Sequence, residues 1–266
     1  LHQVLPAVGD GPIPQFNASH SRLKTARLGI VTALPAEARC IAKAPGSVPG
    51  LTRLGDTLLY VSGIGQARAR QAAETLVAQG ARALLSWGTA GALASALKPG
   101  DVIVPDTILV SDAPFPVDAA WRARLAARLE RHLTVHTGAM LHTTEVIATP
   151  DEKRMLFERT GALAVDMESG AVAQVAHGAK IPFAVLRAIV DPQMMVIPAA
   201  ALAAIDELGR PRIASLLSAL AREPRDLLAL VRLSACFRAA LASLKRAAEF
   251  AGTDLCASLS PTERNV

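Results

Sequence analysis

Glu37, Glu168 and Asp191 each stand where an apolar run of the chain gives out. Glu37 follows the run from Leu28 to Leu34, Glu168 follows Ala164-Val165, and Asp191 closes Val185-Leu-Arg-Ala-Ile-Val190. Ser62-Gly-Ile-Gly65 and Gly88-Thr-Ala-Gly91 end two more such runs. In open α/β sheets ligands collect at the carboxyl ends of strands. The pattern therefore predicts one pocket with three acids and two glycine-rich turns, whose backbone N–H groups can approach an anion or a sugar hydroxyl. An acid buried at a strand end is costly without a partner, because desolvation penalises its charged form. Acids in that position are candidates for proton transfer and for gripping hydroxyls.

Each acid also has a plainer reading. Glu37 and Glu168 stand where helices begin, and an acid there is stabilised by the helix dipole. Asp191 precedes Pro192 and would serve as a turn residue. Gly63-x-Gly65 fails as a dinucleotide fingerprint: Arg68 occupies the third glycine position and Glu74 is too near to bind a ribose. A Walker-type phosphate loop is also missing from the sequence.

The elements that must position these residues follow from the hydrophobic pattern. Leu28–Leu34, Thr57–Ser62, Ala83–Trp87, Asp101–Pro105, Val135–Leu141 and Phe183–Val190 read as strands, most of them apolar enough to be buried on both faces. Ala67–Gln79 reads as a helix with Ala69, Ala72, Ala73 and Leu76 on one stripe and Gly80 as its stop. Ala119–Leu133, a segment opened by Pro150, and Glu168–Gly178 read as further helices. This order predicts an α/β fold with a central, mostly parallel mixed sheet flanked by helices in three layers, without an internal repeat.

Composition bounds the rest. The chain has 266 residues, 51% of them hydrophobic, enough for one large domain. No continuous apolar run reaches the roughly 18 residues of a membrane-spanning helix, and a soluble, cytoplasmic protein is expected. Residues 1–24, with Pro6, Pro12, Pro14, Gly9 and Gly11, read as a flexible arm and not as a secretory signal; Leu1 leaves the true start open. Cys40, Cys236 and Cys256 are too few and scattered for a disulfide framework, which points to a reducing compartment. The six histidines lack metal-ligand clustering, so neither a metal nor a cofactor is expected. The net charge of +5 raises nucleic acid as a partner, but one Tyr and two Trp offer little to stack bases, and no recognition motif is present.

Six segments occur here in an order found in one superfamily: Glu37, Ser62-Gly-Ile-Gly65, Gly88-Thr-Ala-Gly91, Lys98-Pro-Gly-Asp101, Val165-Asp-Met-Glu168 and Arg187-Ala-Ile-Val-Asp191. Over residues 27–195 the chain resembles the nucleoside phosphorylases and nucleosidases of the methylthioadenosine/S-adenosylhomocysteine nucleosidase type. The resemblance implies that Asp191 protonates N7 of a departing purine, and that an ionised Glu168 grips the ribose 2′ and 3′ hydroxyls with Met167 packed under the sugar. It implies further substrate contacts from Thr89, Gly88, Ser62, Gly63 and Leu34. Val146 and Ile147 align with a purine-stacking aromatic and a backbone partner for adenine, and valine is a departure from that pattern. It also implies a homodimer, in which a neighbouring subunit completes the 5′ pocket.

The chemistry suits these residue types. Cleaving an N-glycosidic bond develops cationic character on the sugar and negative charge on the base, as in glycoside hydrolysis. Protonating the base removes the second burden, and a carboxylate on the hydroxyls favours the first. Keeping an aspartic acid protonated at neutrality takes about 4 kcal/mol of differential environment, which burial or a hydrogen-bonded partner supplies. The nucleophile is water or phosphate. Phosphorylases of this superfamily carry a Gly-Asp-Pro-x-Arg turn after the first strand, where this chain has Thr32-Ala-Leu-Pro-Ala-Glu37. Glu37 would repel phosphate and act as general base for water; Arg68 and Arg187 are the candidates for binding an anion instead.

The C-terminal segment narrows the resemblance. Asp206–Leu233, together with Ala148-Thr-Pro-Asp-Glu-Lys153, is similar to the hopanoid-associated phosphorylases, which implies release of adenine from adenosylhopane, a lipid-linked nucleoside. Ile213, Leu216, Leu217 and Leu220 form one helical stripe, and Leu230, Leu233, Phe237, Leu241 and Leu244 form another after Pro224. Such helices, rich in arginine, either pack on the domain or lie on an anionic membrane surface. The expected layout is an arm at 1–24, a catalytic domain at 25–197, a helical extension at 198–250 packed on that domain, and a flexible tail at 251–266.

Overall fold

The computed structural model describes residues 28–42, 48–111, 113–204, 206, 208 and 212–252. The expected arm at 1–24, most of the expected tail, Cys256, His2 and His20 lie outside them. Among the described residues, eleven strands form one branched sheet with helices on both sides, the three-layer mixed α/β architecture that the sequence pattern predicts. Six of the strand pairings are parallel and four antiparallel.

The branch point is β4 (Leu84–Ala92). Its first three residues pair in parallel with β1 (Leu28–Thr32), which continues through β3 (Thr57–Val61) to β2 (Gly50–Leu54). Its last two residues pair antiparallel with β10 (Ala164–Asp166), which leads through β9 (Ala139–His142) to β6 (Thr107–Val110) and β7 (Ala113–Pro116). Along its opposite edge β4 runs beside β11 (Phe183–Ile189), followed by β5 (Val102–Ile103) and β8 (Val135–His136). Between Ser86 and Gly91 one edge of β4 thus has no partner strand among the described residues. The two halves of the sheet part there, and the acids gather at the opening.

Helix α2 (Gln66–Ala78) buries Ala69, Ala72, Ala73 and Leu76, the stripe read from the sequence. It packs on α5 (Ser169–Ala179) across the sheet face. On the other face α3 (Ala119–Leu129) and α8 (Asp226–Ala251) cover β11, with Trp121, Leu125, Ala240 and Leu244 in one apolar core. Helix α4 (Pro150–Thr160) starts with a reciprocal cap between Thr149 and Glu152, with proline in its first turn, and ends at Gly161 in the left-handed conformation. The remaining helices are short: α1 (Pro35–Ala38), α6 (Ala199–Ala203) and α7 (Ile213–Arg222).

Several expectations are corrected. The run Val135–Leu141 is not one strand but β8 and β9, divided at Thr137-Gly138. Gly138 holds φ +147°, and a Cβ there would lie 2.9 Å from Leu163 Cδ1, so the chain can turn from one sheet branch to the other only at glycine. Gly88–Gly91 is not a turn; β4 runs through it. Strands β2, β6 and β7 have no counterpart in the predicted set, and β7 carries Pro114 and Pro116 on an edge, where the missing N–H costs no ladder bond. Helix α3 stops at Leu129 instead of Leu133. Finally, α8 is long and apolar enough to cross a membrane, which a count of unbroken apolar residues overlooks because Arg232 and Arg238 interrupt it. Its later turns are nevertheless tied to the domain, with Ala240, Leu244, Ala247 and Ala251 fully buried.

Candidate active site

The unpaired edge of β4 is taken over by side chains. Thr89 N–H, with no strand to receive it, donates to Glu37 Oε1 at 2.9 Å, and the Thr89 hydroxyl donates to the same oxygen at 2.8 Å. Glu37 Oε2 accepts from Thr32 Oγ1 at 2.9 Å and from Leu34 N–H at 3.0 Å. Four donors therefore hold this buried carboxylate at the end of β1, against Gly88. Gly88 has to be glycine: a Cβ would come within 2.3 Å of Arg187 Nη1 and 2.8 Å of Glu37 Oε1.

Arg187, fully buried in the middle of β11, binds three groups with one nitrogen. Its Nη2 lies 2.6 Å from Asp166 Oδ2, 2.8 Å from Ser86 Oγ and 3.9 Å from Glu168 Oε2. Burial raises the Asp166 carboxyl, but the Arg187 charge, the neighbouring His142 ring and the Ser169 hydroxyl outweigh it and hold that acid below the usual carboxylate range. Glu168, the residue before α5, accepts from Gly65 N–H at 2.9 Å, so the glycine-rich loop after β3 meets the acid after β10. Burial pushes Glu168 up to about 7; Arg187 opposes the rise and the Asp166 charge adds to it.

Asp191 forms a separate group. Its carboxyl lies against Gly91, where a Cβ would come 2.9 Å from Oδ2, and it pairs with Lys153 Nζ at 2.7 Å. Burial raises the Asp191 carboxyl above its ordinary range, and the Lys153 charge only partly offsets this. Lys153 is fully buried and also donates to the carbonyls of Met195 at 2.9 Å and Pro192 at 3.3 Å. Gly88 and Gly91 mark the two groups along β4, about 10 Å apart at strand spacing.

The fold thus brings Glu37, Glu168, Arg187, Thr89, Gly88 and the Ser62–Gly65 loop to the sheet opening, with Asp191 a few residues further along. Thr89 turns its hydroxyl to Glu37 and not to Asp191. Ser62 Oγ is held by backbone, donating to Gly63 O at 2.7 Å and facing Thr32 O at 3.2 Å. Leu34 contributes its backbone N–H to Glu37, and Met167 is half-buried between Asp166 and Glu168. Ile147 packs beside Leu93, Leu141 and Val165, whereas Val146 stays on the surface. Arg68 is half-buried in the first turn of α2, and Arg187 is enclosed by acids.

Among the buried members of the site that went unassigned from sequence are two that carry charge, Asp166 and Lys153. Asp166 was implied by Arg187, because a cation inside a strand buried along its whole length demands a carboxylate. Lys153 was implied by its spacing: with Leu156, Phe157 and Thr160 it heads the inward stripe of α4.

Residues 27–222 match the phosphorylase superfamily, and the chain belongs to it. Its matched relatives are enzymes that cleave N-glycosidic bonds, and this chain is an enzyme of that kind. It is 25% identical over 162 residues to the 5′-methylthioadenosine/S-adenosylhomocysteine nucleosidase of Staphylococcus aureus (strain JH9), covering 53% of this chain and 71% of that protein. Among solved structures, the fold matches an S-adenosylhomocysteine nucleosidase from Streptococcus pyogenes in complex with 5-methylthiotubericidin, with a TM-score of 0.64 at 21% identity, over 87% of this chain and 96% of that one. It also matches the futalosine hydrolase of Helicobacter pylori strain 26695, with a TM-score of 0.61 at 20% identity, over 87% and 97% of the two chains.

Proposed function

We propose that this enzyme hydrolyses the N-glycosidic bond of a purine nucleoside with a large 5′ substituent, releasing adenine, with adenosylhopane as the substrate. The observation that carries this reading is the division of acids along β4: Glu37 and Glu168 on one side of the opening, Asp191 on the other. In the reaction Asp191 protonates N7, Glu168 accepts the ribose hydroxyls, and Glu37 takes a proton from the attacking water. Glu37 has to exchange one of its four donors for that water, and the hydroxyls of Thr32 and Thr89 are the two that can rotate away. Water is favoured over phosphate by charge. Glu37, Asp166 and Glu168 surround the single Arg187, so an anion entering there meets more negative than positive charge.

The lipid-linked substrate is supported by the C-terminal helices. Ile213 and Leu217 of α7 are 66% and 60% exposed, and Leu227, Leu228 and Val231 of α8 are exposed to a similar degree. Arg212, Arg222, Arg225 and Arg232 are exposed among them. Apolar side chains interleaved with arginines complement an anionic membrane surface, and the reaction is placed at the inner face of that membrane. The enzyme works as a homodimer in this reading. A second reading, cleavage of methylthioadenosine or S-adenosylhomocysteine, is favoured by the names of the Staphylococcus and Streptococcus relatives.

The test is adenine release by the purified chain from adenosylhopane in detergent and from methylthioadenosine, each with and without phosphate. Adenine and a free sugar from adenosylhopane without phosphate are expected. Strict dependence on phosphate overturns water attack, activity on methylthioadenosine alone favours the second reading, and no adenine from either overturns both.

A further inference from the structure

Lys153 is a buried charge, paired with the acid that protonates the base, that the reaction as described leaves unused. Its three nearest acceptors, Asp191 Oδ2, Met195 O and Pro192 O, match the three donors of an ammonium. Helix stability does not account for it. The residue stands near the N-terminus of α4, where the dipole disfavours a cation, and Thr149 and Glu152 already cap that end. Fold stability accounts for it poorly too, since well-packed apolar residues replace buried ion pairs without loss in many proteins. What the position does supply is a proton donor within hydrogen-bond reach of the acid that has to protonate the base.

We propose that Lys153 is a positioning residue that acts through Asp191 as the proton reserve for the departing base. The inference rests on the proposed N-glycosidic cleavage. The Lys153–Asp191 pair carries one transferable proton. In the resting site it lies on the lysine nitrogen, held by three acceptors. When a purine enters and excludes water, the proton crosses to the Asp191 carboxyl, leaving a neutral amine. Asp191 passes it to N7 as the C1′–N9 bond breaks and its electron pair moves onto the base. Water attacks C1′ and gives a proton to Glu37. Afterwards Glu37 releases that proton to solvent and Lys153 takes one up, so each group returns to its starting charge. Cys236 of α8 is the other titratable group coupled to the Asp191 charge; its thiol is raised by burial and by Asp191.

The experiment compares two leaving groups in the full-length enzyme: adenine, which needs the proton, and p-nitrophenolate on a riboside with the same 5′ substituent, which does not. Lys153→Met is expected to slow adenine release by about 100-fold or more, in the range of general acid catalysis, and to leave nitrophenolate release within about threefold. Lys153→Arg, which keeps the charge but cannot surrender a proton, should lose adenine release in the same way. In an Asp191→Asn background, Lys153→Met should add no further loss. Equal loss on both leaving groups, full adenine release by Lys153→Arg, or additive losses in the double variant each overturn the proposal. Wild-type enzyme that releases no base from any purine nucleoside instead overturns the proposed function itself.

Discussion

Glu168 occupies the position where burial and neighbouring charge are most closely balanced. Its carboxyl is raised to about 7 by burial, with the Arg187 charge opposing the rise. In the proposed reaction only the ionised form accepts both ribose hydroxyls. KM should therefore fall as pH rises through about 7, and Glu168→Gln should abolish that dependence while lowering kcat/KM by about 100-fold; a pH series of initial rates measures both. Stability runs the other way. A carboxyl whose folded value lies above its unfolded value binds more protons when folded, so its contribution is full below the unfolded value and is lost as pH rises towards 7. Urea unfolding at pH 5.5 and pH 8 should show a larger loss of stability for the wild type than for Glu168→Gln. Equal losses would mean that Arg187 holds Glu168 ionised throughout, as it holds Asp166.

A single strand, β4, decides how these residues meet. Its first residues belong to one branch of the sheet and its last to another, and the stretch between offers Thr89 N–H and a side-chain-free Gly88 to the site. Gly88→Ala places a methyl against Arg187 and Glu37, both fixed by other bonds. It should cost about 1–3 kcal/mol by overpacking and about 100-fold in activity through displaced groups, measurable as a lower denaturation midpoint and a lower kcat/KM. An alanine variant with wild-type rates would show that the placement of Arg187 and Glu37 against Gly88 has no part in the reaction. The acids at the ends of β1 and β11 were legible because an apolar run that stops at a carboxylate is a local signal. The path of β4 was not: Gly88-Thr-Ala-Gly91 has turn composition, and pairing with β10 and β11, more than seventy residues on, keeps it extended. Lys153 was hidden for a related reason, since its partner Asp191 lies on another element, well outside the reach of local sequence pattern.

Across the whole molecule, the sheet and its two helical layers enclose the site, while the last helices leave apolar surface outside. The later turns of α8 are locked to the core through Ala240, Leu244, Ala247 and Ala251. Its first turns, and all of α7, bury no residue completely. Helices built only to cover the domain would keep Leu227, Leu228 and Val231 inward; here they face solvent beside arginines, an arrangement that suits a lipid surface. The double variant Leu227→Asp/Val231→Asp changes two exposed positions on one helix face. Its folding stability should stay within about 0.5 kcal/mol per site of the wild type. Sedimentation with phosphatidylglycerol vesicles should be lost, however, and turnover of the lipid-linked nucleoside in such vesicles should fall at least tenfold, while a short, water-soluble 5′-substituted nucleoside is cleaved as before. Because each arginine near an anionic surface adds about 1 kcal/mol that salt screens, wild-type vesicle binding should also weaken between low and high salt. A wild type that ignores vesicles, or a variant that binds them unchanged, would leave α7 and the start of α8 without a membrane role and favour the small 5′-thio nucleosides as substrates.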